Sequence, residues 1–219
     1  MYGFLPESSF VFQGRAIPEI NYQKASEILD ADGWVYDPVD KIRVKDGQKL
    51  RIRLAAISGR ERTEIVDEIV LQLKALGIQV TPSYYSATDL ANTVLKAKRF
   101  DILLYGVDSY IDTDRFRLWH STQISLEGLN FSSYKSSAVV KDPISGKEIS
   151  KSDDLLVRGR VQFDLEERKK TYLALDQLIS EDIPAVFLYH PSTQILLNKR
   201  LKGIQFEHVT SPSDIYFSV

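Results

Sequence analysis

The chain has 219 residues, 43% of them hydrophobic and 26% charged, the balance of an ordinary globular domain. Lys and Arg number 28 against 30 Asp and Glu, a net charge of −2 that provides no polybasic field for nucleic acid. Cysteine is absent, which excludes disulfides, thiolate nucleophiles and Cys-based zinc sites, and no run of about 18 apolar residues suggests a membrane span.

The opening residues Met1–Pro6 lack a basic region followed by an apolar core, so no signal peptide is read there. The expectation is an intracellular protein or a piece of a longer one. Residues 1–20 carry Pro6, Gly14 and Pro18 among aromatic residues and read as an irregular leading stretch. Asn21 to Asp30 predicts a helix with Ala25, Ile28 and Leu29 on one face, ended by Gly33. An Asp46-Gly47 turn precedes Leu50 to Leu54, whose strict alternation of apolar and basic residues predicts a strand at a sheet edge or with one wet face.

Ser58 and Glu61 have capping-box spacing before a helix carrying Ile65, Val66, Ile69, Val70, Leu73 and Leu76 on one stripe. Gly77 stands at its left-handed end. A strand from Ile78 is expected to stop at Pro82, and Ser86 to Lys98 predicts another helix. Phe100 to Tyr105 reads as a central strand covered on both faces. Strand and helix alternate through this region, the rhythm of an α/β layer over a mixed or parallel sheet.

Asp108 to Trp119 reads as a loop and short helix, and Gly128 to Ser137 as a loop. Lys141 to Lys147 predicts a hairpin tip or exposed insertion. Two helices follow, from Asp153 to Phe163 and behind the cap pair Asp164 and Glu167, the second stopped by Pro184. Ala185 to Tyr189 and Ile195 to Leu197 read as strands, the first of them buried.

Phosphate-binding glycine loops, a Gly-x-Ser-x-Gly elbow and histidines at ligand spacing are all missing. His120, His190 and His208 read as structural histidines bonded at element ends. Asp112 and Asp114 lack the partners of a calcium loop and read as helix N-terminal carboxylates. Asn130-Phe131-Ser132 matches a glycosylation acceptor of little weight.

Several segments recur in a recognisable order. They are Ala25-Ser26-Glu27-Ile28-Leu29 through Gly33-Trp34, Gly77-Ile78-Gln79-Val80, Phe100 to Gly106, Asp112 to Phe116, Asp164 to Arg168, Ile183 to Tyr189 and Arg200 to Ile204. Together they resemble the extracellular oligopeptide/dipeptide-binding proteins of ABC importers, bacterial solute-binding protein family 5. Members of that family are much longer and have two lobes that close on a ligand. The resemblance is to the second lobe.

It implies an α/β, type II periplasmic-binding-protein-like lobe, a mixed sheet with helices on both faces, over residues 1–219, with a tail from about 205 to 219 that belongs to the other lobe. The implied function is capture of peptides for import, outside the cell or in the periplasm, with the parent anchored at the membrane. Implied partners are a peptide ligand, the ABC permease subunits and the missing N-terminal lobe, with no nucleic acid, metal or cofactor.

A buried peptide ammonium must be paired. The family supplies a carboxylate after the strand matching Phe100 to Tyr105, which points to Asp108, with Asp112 as the alternative. Tyr105, Ser109, Tyr110 and Trp119 complete the expected ligand set, with Phe116 nearby, although Phe116 and Trp119 also suit a lobe core. The Lys141–Lys151 segment departs from the family pattern. Two alternatives stand: a lobe for a nickel complex, sugar or other small molecule, and an α/β hydrolase-like enzyme using a serine with His120 or His190.

Overall fold

The computed structural model describes residues 19–107, 114–125 and 128–189, together with Leu5, Ser9, Val11, Phe12, Asn198 and Arg200. The chain divides into two compact units, one of residues 18–107 and one of residues 1–17 with 108–219.

The first unit begins with helix α1 (Tyr22–Ala31), where Asn21 accepts the Lys24 amide at 2.8 Å. Strands β1 (Val35–Asp37), β2 (Ile42–Lys45) and β3 (Gln48–Lys49) form a small antiparallel sheet. The expected turn at Asp46 and Gly47 joins its last two strands. Arg43 holds the assembly together from the inside. Its guanidinium, 3% exposed as a residue, donates to the Leu76 carbonyl at 2.8 Å, to the Trp34 carbonyl and to Asp30.

The main sheet of this unit has three parallel strands. Strand β4 (Arg51–Ile57) lies between β5 (Gln79–Tyr85) and β6 (Ile102–Leu104). One face carries Leu54 and Ala56 against Val66 of helix α2 (Arg60–Ala75). Ala55 on the other face meets Leu90 and Val94. Helices therefore cover both faces, as expected, and the alanines of β4 let them approach closely.

Five expectations in this unit are corrected. Strand β4 is central rather than at an edge; of the two alternatives read for it the wet face holds, but only over its amino-terminal half, where Arg51 and Arg53 are exposed, while Leu54, Ala55 and Ala56 are buried. Among the described residues β6 flanks it, though both faces of β6 are covered. Pro82 does not stop β5, which runs on to Tyr85, because β5 pairs on one side only among the described residues and a proline there costs no ladder bond. The capping box does not form. The Ser58 amide and hydroxyl both donate to the Tyr85 carbonyl, at 2.8 and 3.1 Å, and Gly59 becomes the N-cap of α2.

The fifth correction concerns Ser86 to Lys98. Only helix α3 (Ala87–Asp89) is α-helical, capped by Ser86. Leu90–Leu95 widens to a π-helix, with the Thr93 hydroxyl on the Asp89 carbonyl at 2.6 Å. Gly77 behaves as read: its φ is +78°, and a Cβ there would lie 2.7 Å from the Tyr36 ring.

The second unit contains helix α4 (Phe116–Trp119), a 3-10 turn (Ser121–Ile124), and the hairpin of β7 (Val139–Lys141) and β8 (Glu148–Ser150). That hairpin is the expected one, its tip tied by Asp142 to the Ser145 amide at 2.9 Å and to the Ser145 hydroxyl. Helices α5 (Lys151–Val161) and α6 (Leu165–Asp182) pack on each other through Leu155, Leu156, Tyr172 and Leu175. Asp164 caps α6 through the Glu167 amide at 2.9 Å, as its spacing indicated.

Residues 185–189 correct the expectation of a buried strand. Ala185 and Phe187 pack inward, but Val186 is 75% exposed, and no ladder partner exists among the described residues. The expected strand Ile195 to Leu197 lies outside the described residues.

Candidate functional site

The carboxyl end of the parallel sheet is where the chain changes direction. From β4 it passes through α2 to β5 on one side, then through α3 and the π-helix to β6 on the other. Connections that leave in opposite directions open a crevice beyond the strand ends, the ordinary ligand position in open α/β sheets. Ser58 and Gly59 follow β4 there, Ser86 follows β5, and Tyr105 and Gly106 follow β6. Ala56 stands between Tyr84 and Leu104, one row inside the rim. Tyr84 is 38% exposed and Tyr105 41%, so aromatic area is presented at this end.

Of the residues expected to touch ligand, Tyr105 lies at this crevice. Asp108, Ser109, Tyr110 and Asp112 lie outside the described residues. Trp119 sits in the core of the other unit. It is 7% exposed and packs edge-on against Tyr134, with ring centres 6.0 Å apart, and beside Phe187 at 6.1 Å. The sequence reading passed over Ser58, Ser86 and Tyr84. Their signal was position, directly behind or at the end of a predicted strand.

His120 is buried and structural, as read. Its Nδ1 accepts the Thr122 amide at 3.2 Å, and its ring stacks on Phe116 at 4.1 Å. Asp153 accepts both the amide and the hydroxyl of Ser121, at 2.8 and 2.5 Å, and lies 3.8 Å from His120 Nε2. These three side chains are not wired as a catalytic triad. The serine hydroxyl is bonded to the carboxylate directly, and the imidazole is not between them. His190 and His208 lie outside the described residues.

Asp114 caps α4 through the Phe116 amide at 2.9 Å and pairs with Arg160 at 3.0 Å, matching its reading as a helix N-terminal carboxylate. Asn130 is 1% exposed, and its side-chain amide donates to the Trp119, His120 and Tyr134 carbonyls, so glycan addition there would require unfolding. Among the described residues no group of acids or histidines could hold a metal ion.

Burial lowers the His120 pKa below its ordinary value, and the Arg160 cation adds to that, against the opposing pull of Asp153. The unfolded chain therefore binds the proton more readily. His120 contributes stability that is complete above about pH 6.5 and is lost as pH falls from there toward the folded-state pKa. Urea midpoints should drop between about pH 7.5 and about pH 5.5, and His120→Asn should flatten that slope. Equal slopes in the two proteins would contradict this.

No protein-family model matches the chain. It is 29% identical over 190 residues to the oligopeptide-binding protein AppA of Bacillus subtilis, an alignment covering 86% of this chain and 32% of AppA. The structure of AppA in complex with a nonapeptide superposes with a TM-score of 0.74 at 28% identity, over 87% of this chain and 36% of that one. The chain resembles the family 5 oligopeptide-binding proteins. Its fold is that of the type II periplasmic-binding-protein-like solute-binding proteins.

Two further structures share the fold. NikZ from Campylobacter jejuni, in complex with Ni(L-His), has a TM-score of 0.67 at 24% identity, over 84% of this chain and 36% of NikZ. The oligopeptide-binding protein from Thermus thermophilus, complexed with a pentapeptide, has 0.69 at 18%, over 84% and 32%. The oligopeptide-binding-protein-like chain thus spans about a third of the length of its curated relative. Among its described residues no helix is long and apolar enough to cross a membrane.

Proposed function

We propose that this chain is the C-terminal-lobe portion of a substrate-binding protein that captures peptides for import by an ABC transporter. The observation that carries the reading is the collinear similarity to AppA over 86% of the chain, extended to three dimensions by the nonapeptide complex. The crevice at the carboxyl end of β4 and β6 supports it physically, since a lobe of this kind presents strand ends and aromatic area to its ligand. The site holds a solute and does not transform it. Residues 1–219 form the lobe, and the stretch from about 205 to 219 reaches the other one. The parent acts outside the cell or in the periplasm, held at the membrane, and its partners are the permease subunits and the N-terminal lobe.

The test is the full-length parent, purified without refolding and analysed by mass spectrometry of what it carries. A mixture of short peptides is expected. A protein carrying only a nickel complex, a sugar or another non-peptide solute would overturn peptide capture.

Within this reading Asp108 pairs with the peptide ammonium. A charge-assisted bond of that kind is worth about 1.5–3 kcal/mol. Asp108→Asn in the full-length parent should weaken peptide binding in calorimetry by at least about tenfold. Unchanged affinity in Asp108→Asn, with a loss in Asp112→Asn, would move the role to Asp112.

A further inference from the structure

We propose that the cleft between the 3-10 turn behind α4, strand β8 and helix α5 is a second ligand site, shaped for a free amino acid with an aliphatic side chain. The open cleft has a volume of about 300 Å³, the lower end of the ~300–1,000 Å³ that small-molecule sites occupy. All of its lining belongs to one unit and none of it to the carboxyl end of the parallel sheet. The inference is therefore independent of peptide capture.

The floor of the cleft is pre-organised. Asp153 is satisfied by Ser121, as described above. The Ser150 hydroxyl lies 3.0 Å from that of Ser136 and 2.8 Å from that of Ser152, all three buried. This hydroxyl cluster ties the root of the β7–β8 hairpin to the start of α5, so one wall of the cleft is fixed. The wall comes from the Lys141–Lys151 segment, which departs from the pattern of the family the chain resembles.

The charged lining carries the specificity. Lys135 and Glu148 both line the cleft, and among the described residues neither forms an ion pair, with the other or with a third group. Opposite charges that line one cleft without pairing complement a small molecule that bears both charges. The carboxylate of a free amino acid faces Lys135, and its ammonium faces Glu148. Ile149 and Val157, the latter 45% exposed, offer apolar surface to the side chain.

The experiment is a titration of the isotope-labelled 219-residue protein with L-leucine, followed by amide NMR. Saturable shifts are expected at Thr122, Ile149 and Val157. Lys135→Gln and Glu148→Gln, both surface changes, should each weaken binding about tenfold. N-acetyl-leucine and leucinamide, each lacking one charge, should not saturate. The proposal is overturned if millimolar leucine gives no saturable shift, if either variant binds like the parent, or if the blocked analogues bind equally well.

Discussion

Tyr172→Ala is expected to lower the unfolding free energy by ~3–5 kcal/mol, the range for deleting a fully buried aromatic ring. Tyr172 is completely buried between α5 and α6, among Leu155, Leu156 and Leu175. Its ring takes the space that a side chain at position 159 would fill. A Cβ on Gly159 would lie 2.8 Å from the phenol Cζ and 3.1 Å from two ring carbons. Glycine at 159 and tyrosine at 172 are thus one packing decision.

Gly159→Val in the intact protein should cost about 1–3 kcal/mol by overpacking. In the Tyr172→Ala background it should cost less, since the ring is gone, and the two changes should be non-additive. Urea unfolding followed by circular dichroism measures all three variants. A loss below about 1 kcal/mol for Tyr172→Ala would mean that the α5–α6 contact is not the core of its unit.

Arg43→Met should unfold the small antiparallel sheet of the other unit more readily. Methionine keeps the apolar stem and removes the guanidinium, so the loss reports the polar contacts alone. Arg43 joins three elements: the end of α1 through Asp30, the approach to β1 through the Trp34 carbonyl, and the end of α2 through the Leu76 carbonyl. Asp30 is 56% exposed and can return to water. The two carbonyls lose a buried donor, and each such loss costs about 1–3 kcal/mol. Hydrogen exchange should quicken across β1 to β3 while amides of β4 keep their protection. An unchanged exchange pattern would show that Arg43 is not the tie described.

Much of the local structure was legible because it is decided within a few residues. The Asp164 cap of α6, the left-handed Gly77 behind α2 and the Asp46-Gly47 turn each depend on side chains bonding or yielding to their own backbone. The stripe of α2 was visible because helical period repeats across four turns. Strand β4 was legible as a strand and misplaced within the sheet. Arg51 and Arg53 suggested an edge, but they occupy only the end of the strand that faces water, and the burial of Ala55 and Ala56 depends on helices far away in sequence. Pro82 misled for the same reason: whether a missing N–H matters depends on whether a neighbouring strand asks for it.

The candidate site divides in the same way. Tyr105 could be named because it ends an apolar strand and opens a loop. Trp119 could not be assigned between pocket and core by sequence, since an aromatic residue suits both. Its neighbours Tyr134 and Phe187, 15 and 68 residues further along, make it core.

The amino-acid order by itself therefore determined most of the helices, the strands of the parallel sheet, the Asp164 cap and the Asp46-Gly47 turn, and the collinear pattern that points to a peptide-binding lobe. These follow from short-range backbone chemistry and from periodicity along one element. Only the tertiary structure decided that β4 lies between β5 and β6, that Asp153 belongs to Ser121 rather than to a catalytic histidine, and that the hairpin before α5 walls a cleft. Each of those depends on which distant surfaces exclude water from one another, a property of the folded arrangement and not of any stretch of chain.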